Sequence, residues 1–142
     1  MRRIVYGIGL AAALCMMTNC DRYSSENGDL DGFWLLSQTD TLATGGSANV
    51  RGQLLTYSVY TDVLQLRGRT EINLRFRHTG DSLLLYEPYS GGWGQPDNVL
   101  EDVSLLYPYG ISRLQEAFRI ELLRSHEMVL KSKELRLHLV KY

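Results

Sequence analysis

EINLRFRHTGDSLLLY, residues 71–86, is the stretch that decides how this chain folds. Ile72, Leu74, Phe76 and His78 fall on one side of an extended backbone, and Glu71, Asn73, Arg75 and Arg77 fall on the other. Successive side chains of a strand face opposite ways, so a period of two over this length predicts a half-buried strand. Thr79-Gly80-Asp81-Ser82 predicts a tight turn, and Leu83 to Tyr86 runs back as the partner of a hairpin.

The same pattern extends in both directions. Upstream, residues 32–40 place Trp34 and Leu36 on one face and Phe33 and Leu35 on the other. A loop with Gly45-Gly46-Ser47 follows, then apolar segments at 50–60 and 63–67. Downstream, 87–97 is a loop rich in Gly and Pro that carries Tyr89 and Trp93. Asn98 with Glu101 three residues on has the form of a capping box, and Val99, Leu100, Val103 and Leu106 share a helical stripe. This predicts one short helix over 98–107, stopped before Pro108. Residues 114–123 fit two periods. Phe118, Ile120 and Leu122 alternate, while Leu114, Phe118 and Leu122 also match helical spacing; the reading taken is a strand. Residues 128–132 and 135–141 close the chain as a hairpin about Lys133-Glu134, with Leu135, Leu137 and Leu139 on one face.

Eight antiparallel strands joined in sequence order would leave two raw edges as an open sheet, and closure into a barrel removes them. The predicted class is therefore all-β: an eight-stranded up-and-down barrel with one short helix. Such an interior is just wide enough to be filled by side chains or to hold one small ligand.

The first residues have a different character. Arg2 and Arg3 precede an uncharged apolar run from Ile4 to Met17. As a helix this run spans only about 21 Å against roughly 30 Å of bilayer core, which suits an export signal better than a membrane span. The segment ends at Met17-Thr18-Asn19-Cys20, which resembles the lipobox of bacterial lipoproteins, with Asn19 where that family usually has a smaller residue. The resemblance implies a signal peptide over 1–19, cleavage after Asn19 and lipid on Cys20. Residues 20–31 (CDRYSSENGDLD) then read as a polar tether, and 32–142 as the barrel domain. Loss of Arg2 and Arg3 leaves 13 of the 15 basic residues against 16 acidic ones, which offers nothing to a nucleic acid. Cys15 leaves with the signal, so Cys20 has no partner for an internal disulfide.

Gly32-Phe33-Trp34 resembles the G-x-W opening of lipocalins. Tyr109-Gly110-Ile111, Phe118-Arg119-Ile120-Glu121, Met128-Val129-Leu130 and Leu135-Arg136-Leu137 with Lys141-Tyr142 extend the likeness over most of the chain. The whole mature chain is similar to small lipocalin-like lipoproteins of Gram-negative gut bacteria. The resemblance implies structural roles for Gly32 and Trp34, with a basic residue of the last strand, Arg136 or Lys141, laid across the indole; Arg136 is the residue assigned.

Tyr86, Tyr89, Trp93, Tyr107 and Tyr109 are the candidate binding residues, because aromatics on Gly-rich loops can grip a ligand at a barrel mouth. The competing reading has them pack the loop and helix over the opening. His78, His126 and His138 lie on separate segments without the spacing of a metal site. Ser125-His126-Glu127 are adjacent and cannot form a nucleophile–base–orienter arrangement. Arg67, Arg69, Arg75 and Arg77 read as a solvated strand face, and Gly45-Gly46-Ser47 lacks the lysine of a phosphate loop. No catalytic residue, cofactor or metal is expected. The expectation is a noncatalytic, lipid-anchored binding protein of the cell envelope, with the outer membrane as its expected site. Its partner would be a small apolar or amphipathic ligand; the alternative is a filled barrel that binds an envelope protein.

Overall fold

In the computed structural model, which describes residues 27–91 and 96–142, the hairpin at 71–86 forms two walls of a closed antiparallel barrel. The strands are β1 (Gly32–Thr41), β2 (Gly46–Asn49), β3 (Thr56–Tyr60), β4 (Val63–Arg67), β5 (Ile72–Thr79), β6 (Ser82–Ser90), β7 (Asn98–Val99), β8 (Glu116–Leu123), β9 (Glu127–Lys131) and β10 (Leu135–Lys141). Around the wall they run β1-β3-β4-β5-β6-β8-β9-β10, and β10 pairs back onto β1 from Trp34↔Lys141 to Thr41↔Leu135. That gives the expected eight-stranded barrel. β2 and β7 are additions, paired to the far half of β1 and the last residues of β6.

Alternation sets the interior. Trp34 and Leu36, Tyr57 and Val59, Leu64 and Leu66, Ile72 and Leu74, Leu83 and Leu85, Phe118 and Ile120, Met128 and Leu130, and Leu137 and Leu139 come in pairs two residues apart. Each eight-strand position thus contributes two inward side chains, and each side chain of this kind stabilises the fold by about 1.5–3 kcal/mol when fully buried.

Three local readings change. The segment 50–60 divides, because Arg51–Gln53 forms a 3-10 turn ended by Leu54 in the left-handed region (φ 54°), and only Thr56 onward is strand. Asn98 does not cap a helix: Leu100 N donates to Pro88 O at 2.8 Å and Asn98–Val99 pair with β6. The helix starts later, as a 3-10 helix over Val103–Tyr109 whose N-cap is Asp102, accepting from Ser104 N at 3.0 Å. Pro108 lies inside it rather than beyond it, since a proline in the last turn of so short a helix forfeits a single backbone bond. Gly110 ends the helix at φ 80°, where a side chain would run into Leu137.

At the opposite boundary, Gly28–Leu30 is a 3-10 turn, and within the segment expected as the tether Leu30 is fully buried in the core and Asn27 Nδ2 donates to Thr61 O at 2.8 Å.

Candidate functional site

Both ends of the barrel are closed by side chains. At the end holding the first residues of β1, Trp34 points inward and donates from Nε1 to the buried Leu30 carbonyl at 2.8 Å. Lys141 Nζ lies 4.8 Å from the centre of the indole ring and donates to Asp29 O at 3.0 Å. Gly32 makes this possible: at φ 127°, a Cβ there would sit 2.9 Å from Lys141 Cε. Arg136, expected over the indole, instead donates from Nε to Glu121 Oε1 at 2.5 Å on the outer wall. Strand parity explains the correction. Lys141 shares the inward phase of Leu137 and Leu139, whereas Arg136 stands on the outward phase.

The other end is closed by the 3-10 helix, which inserts Leu106 and Tyr109, with Ile111 just beyond, each at 0% exposure. Tyr109 Oη accepts from Arg69 N and Thr70 N at 3.1 and 3.2 Å and donates to Thr70 O at 3.0 Å, locking the helix to the β4–β5 turn. Its ring meets Tyr57 edge-on at 6.3 Å, and Tyr57 Oη donates to the Tyr109 carbonyl. Burial drives the Tyr57 phenol well above its ordinary range, with Tyr109 and Glu116 adding to it. The segment after the helix is clamped by Arg113, which donates to Glu116 at 3.1 Å and to Glu134 at 2.9 Å. Glu116 is almost fully buried and also accepts from Ser112 N at 3.1 Å.

The predicted mouth residues are dispersed. Tyr109 is in the core, while Tyr107, two positions earlier, is exposed. Tyr86 lies on the outward phase of β6, with the Arg77 guanidinium 6.0 Å from its ring centre. Tyr89 stands on the outer wall of the same strand, in an open groove with Gln65, Arg67, Glu71, Asn73 and Asp97. Trp93 lies outside the described residues, as do Cys20 and the leader. The structure brings Tyr109 together with Tyr57, a residue that sequence reading missed although Tyr57 and Val59 share the inward phase of β3.

One polar cluster was also missed, because it joins positions 98 residues apart. His138 Nε2 meets Asp40 Oδ2 at 2.7 Å, and Asp40 Oδ1 accepts from Gln38 Nε2 at 2.7 Å and Ser47 Oγ at 2.8 Å. Ser47 and His138 both bond the carboxylate, so the acid stands between hydroxyl and imidazole. A nucleophile–base pair needs the imidazole in the middle. The cluster lies on the outer wall and staples β1 to β2 and β10. The Gln38 amide first, then His138 and Ser47, hold the Asp40 carboxyl down at about 2. A depressed folded value means that this stabilisation is present above the unfolded value near 3.8 and is lost as pH falls toward about 2. Urea unfolding at pH 5 and pH 2 is expected to show a smaller acid loss for Asp40→Asn than for the wild type; equal losses would remove Asp40 from the acid response.

Among the described residues, no group of His, Cys, Asp and Glu is placed to hold a metal ion, and no helix is long and apolar enough to cross a membrane.

Comparison with known proteins agrees with this architecture. The model of a family described as a lipocalin-like domain matches residues 15–142. A crystal structure of a lipocalin-like protein from Bacteroides uniformis is similar at a TM-score of 0.63 and 18% identity, covering 81% of this chain and 100% of that one. An uncharacterized protein from Bacteroides eggerthii is similar at a TM-score of 0.58 and 16% identity, covering 79% of this chain and 98% of that one. No curated protein is significantly similar to the chain.

Proposed function

The chain belongs to the lipocalin-like domain family, and from that premise we propose that it is a noncatalytic binding protein of the cell envelope, anchored by lipid on Cys20, which recognises a partner protein with the outside of a filled barrel. The fold is one whose typical use is binding rather than catalysis. The observation that carries the reading is the interior. Trp34, Leu36, Tyr57, Leu66 and Leu74 on the walls, Leu55 just before β3, and Leu106, Tyr109 and Ile111 on the cap all have no exposed surface. A cavity large enough for a ligand would leave the side chains that line it accessible.

Recognition is then left to the outer surface. The cap end offers apolar side chains for it: Leu54, Val99 and Tyr107 are 59%, 77% and 56% exposed. Tyr107 sits on a helix that the Tyr109 and Arg113 contacts hold in place, which lowers the ordering cost of binding. The partner would be an envelope protein that this barrel inhibits or completes.

A carrier of a small apolar ligand is the second reading, and it requires the cap to swing out. Thr70 Oγ1, a buried hydroxyl with no partner among the described residues, lies where the cap is fastened and would be a polar contact for such a ligand. Native mass spectrometry of the chain begun at Asp21, prepared from lipid-rich cells, separates the two. The partner reading expects the bare protein mass. A reproducible small adduct would overturn it in favour of the carrier. For the anchor, Cys20→Ala is expected to abolish fatty-acid labelling and membrane retention, and persistent labelling would refute lipid on Cys20.

A further inference from the structure

We propose that the barrel end from which the chain leads back to Cys20 is a foot that rests in the membrane interface, with Phe33, Tyr60 and Tyr142 entering a neutral phospholipid surface. This inference rests on the lipid anchor proposed above. Because Trp34 faces inward on β1, Phe33 faces outward; because Tyr57 and Val59 face inward on β3, Tyr60 faces outward. The register brings these positions together. Phe33 lies opposite Ser58 and Gly32 opposite Val59, so Tyr60 is the next outward residue of β3. On the other flank, Trp34 lies opposite Lys141 and Tyr142 N donates to Phe33 O at 3.0 Å. Tyr142, just past the end of β10, Phe33 on β1 and Tyr60 on β3 are thus 76%, 60% and 71% exposed. Exposed apolar side chains scattered singly are ordinary, but a group of large rings at one end of a small domain marks an interaction surface.

The occupant follows from where the chain goes. Asn27 Nδ2 donates to Thr61 O at 2.8 Å, beside Tyr60, and Asn27 is also bound to the Asp31 carboxylate. The path from Asn27 to Cys20 is seven residue steps, at most about 25 Å when fully extended. A lipid on Cys20 therefore holds this end, and not the cap, against the bilayer. Tyrosine suits that position, since its ring is apolar and its hydroxyl reaches water at the head groups. The charges nearby are mixed. Among the described residues, Asp29, Asp31, Asp62, Asp81 and Glu127 accompany Arg77, Arg124 and Lys141 at this end, and Lys141 is already engaged by the Trp34 ring and the Asp29 carbonyl. The described residues thus give this end no net positive charge to draw anionic lipid, so contact comes from burial of the rings and is insensitive to salt.

Tryptophan emission of the full acylated chain in phosphatidylcholine vesicles, with plain or brominated acyl chains, tests the foot. Tyr60→Trp is expected to lose at least half of its added emission to bromine, equally at low salt and in molar sodium chloride. Tyr107→Trp, at the cap, is expected to be quenched no more than the wild type. Absence of bromine quenching in Tyr60→Trp, or equal quenching of both variants, would overturn the proposal. So would a blue shift without quenching, which would identify a second copy of the chain as the occupant. Fatty-acid labelling of Cys20 is read separately. Labelling without Tyr60→Trp quenching refutes the foot and leaves the anchor. Without labelling the anchor fails, and addition of brominated vesicles to the unacylated Tyr60→Trp chain then decides the foot, upheld by quenching and refuted by its absence.

Discussion

Trp34→Ala is expected to destabilise the barrel by about 3–5 kcal/mol, the range for truncating a large buried aromatic. Three losses coincide. The indole leaves a hole among side chains that are themselves fully buried, including Leu30 and Leu36. The buried Leu30 carbonyl loses its donor at 2.8 Å, and an unpartnered buried acceptor costs about 1–3 kcal/mol. Lys141 loses the ring face beneath its ammonium, a contact of about 0.5–2 kcal/mol. These terms overlap and are not additive, so the large-to-small range is the appropriate figure. Urea unfolding measures it: with a slope of about 1–3 kcal/mol per molar urea for a small protein, the midpoint should fall by roughly 2 M. Trp34→Phe keeps most of the volume and should cost less than half as much. A Trp34→Ala midpoint within experimental error of wild type would show that this end is not sealed by the indole.

Tyr109→Ala is expected to cost a similar amount, about 3–5 kcal/mol, and to do something that the Trp34 change does not. Tyr109 fills the cap end, meets Tyr57 edge-on and fastens the 3-10 helix to Arg69 and Thr70. Its truncation empties the space beneath the helix and releases the helix from the β4–β5 turn. The interior should then take up small apolar dyes that the wild type excludes. Tyr109→Phe separates the two contributions. It retains the ring and removes the hydroxyl that Arg69 N, Thr70 N and Thr70 O share, a loss of about 1–3 kcal/mol without dye uptake. Dye binding by the wild type at the level of Tyr109→Ala would contradict a filled barrel and return the small-ligand reading to first place.

The two variants together separate the ends of the molecule. One end is closed by residues contiguous with the chain's entry, Leu30 and Trp34, and the other by a helix inserted between β6 and β8. The proposed foot and the proposed partner surface fall at these opposite ends, so an anchored barrel would stand on Phe33, Tyr60 and Tyr142 and present Leu54, Val99 and Tyr107 away from the membrane.

Much of the wall was legible in sequence because it depends on local alternation. Ile72 to Thr79 and Leu135 to Lys141 declare their inward phase by a period of two, and closure follows from the cost of exposed edges. The helix was located only approximately. Asn98 and Glu101 have the residue types of a capping box, but β6 continues to Ser90 and supplies a pairing surface that captures Asn98 and Val99 as strand. That competition is invisible locally, since it depends on where a partner strand ends. The choice between Arg136 and Lys141 was open to parity, and counting two residues on from Leu139 would have found Lys141.

What the sequence determined by itself was the all-β class and the number of wall strands, because these follow from the two-residue period of an extended chain, while the structural role of Trp34 was implied by the resemblance of Gly32-Phe33-Trp34 to the lipocalin opening. Which residues close the two ends and how the aromatics divide between core and surface were decided only by tertiary structure. Tyr107 and Tyr109 illustrate the reason. They have the same side chain, two positions apart, yet one is exposed and the other fully buried, because the turn of the 3-10 helix and the position of Thr70 across the barrel select which ring enters. Packing is a property of the surfaces that meet, and those surfaces come from residues tens of positions apart.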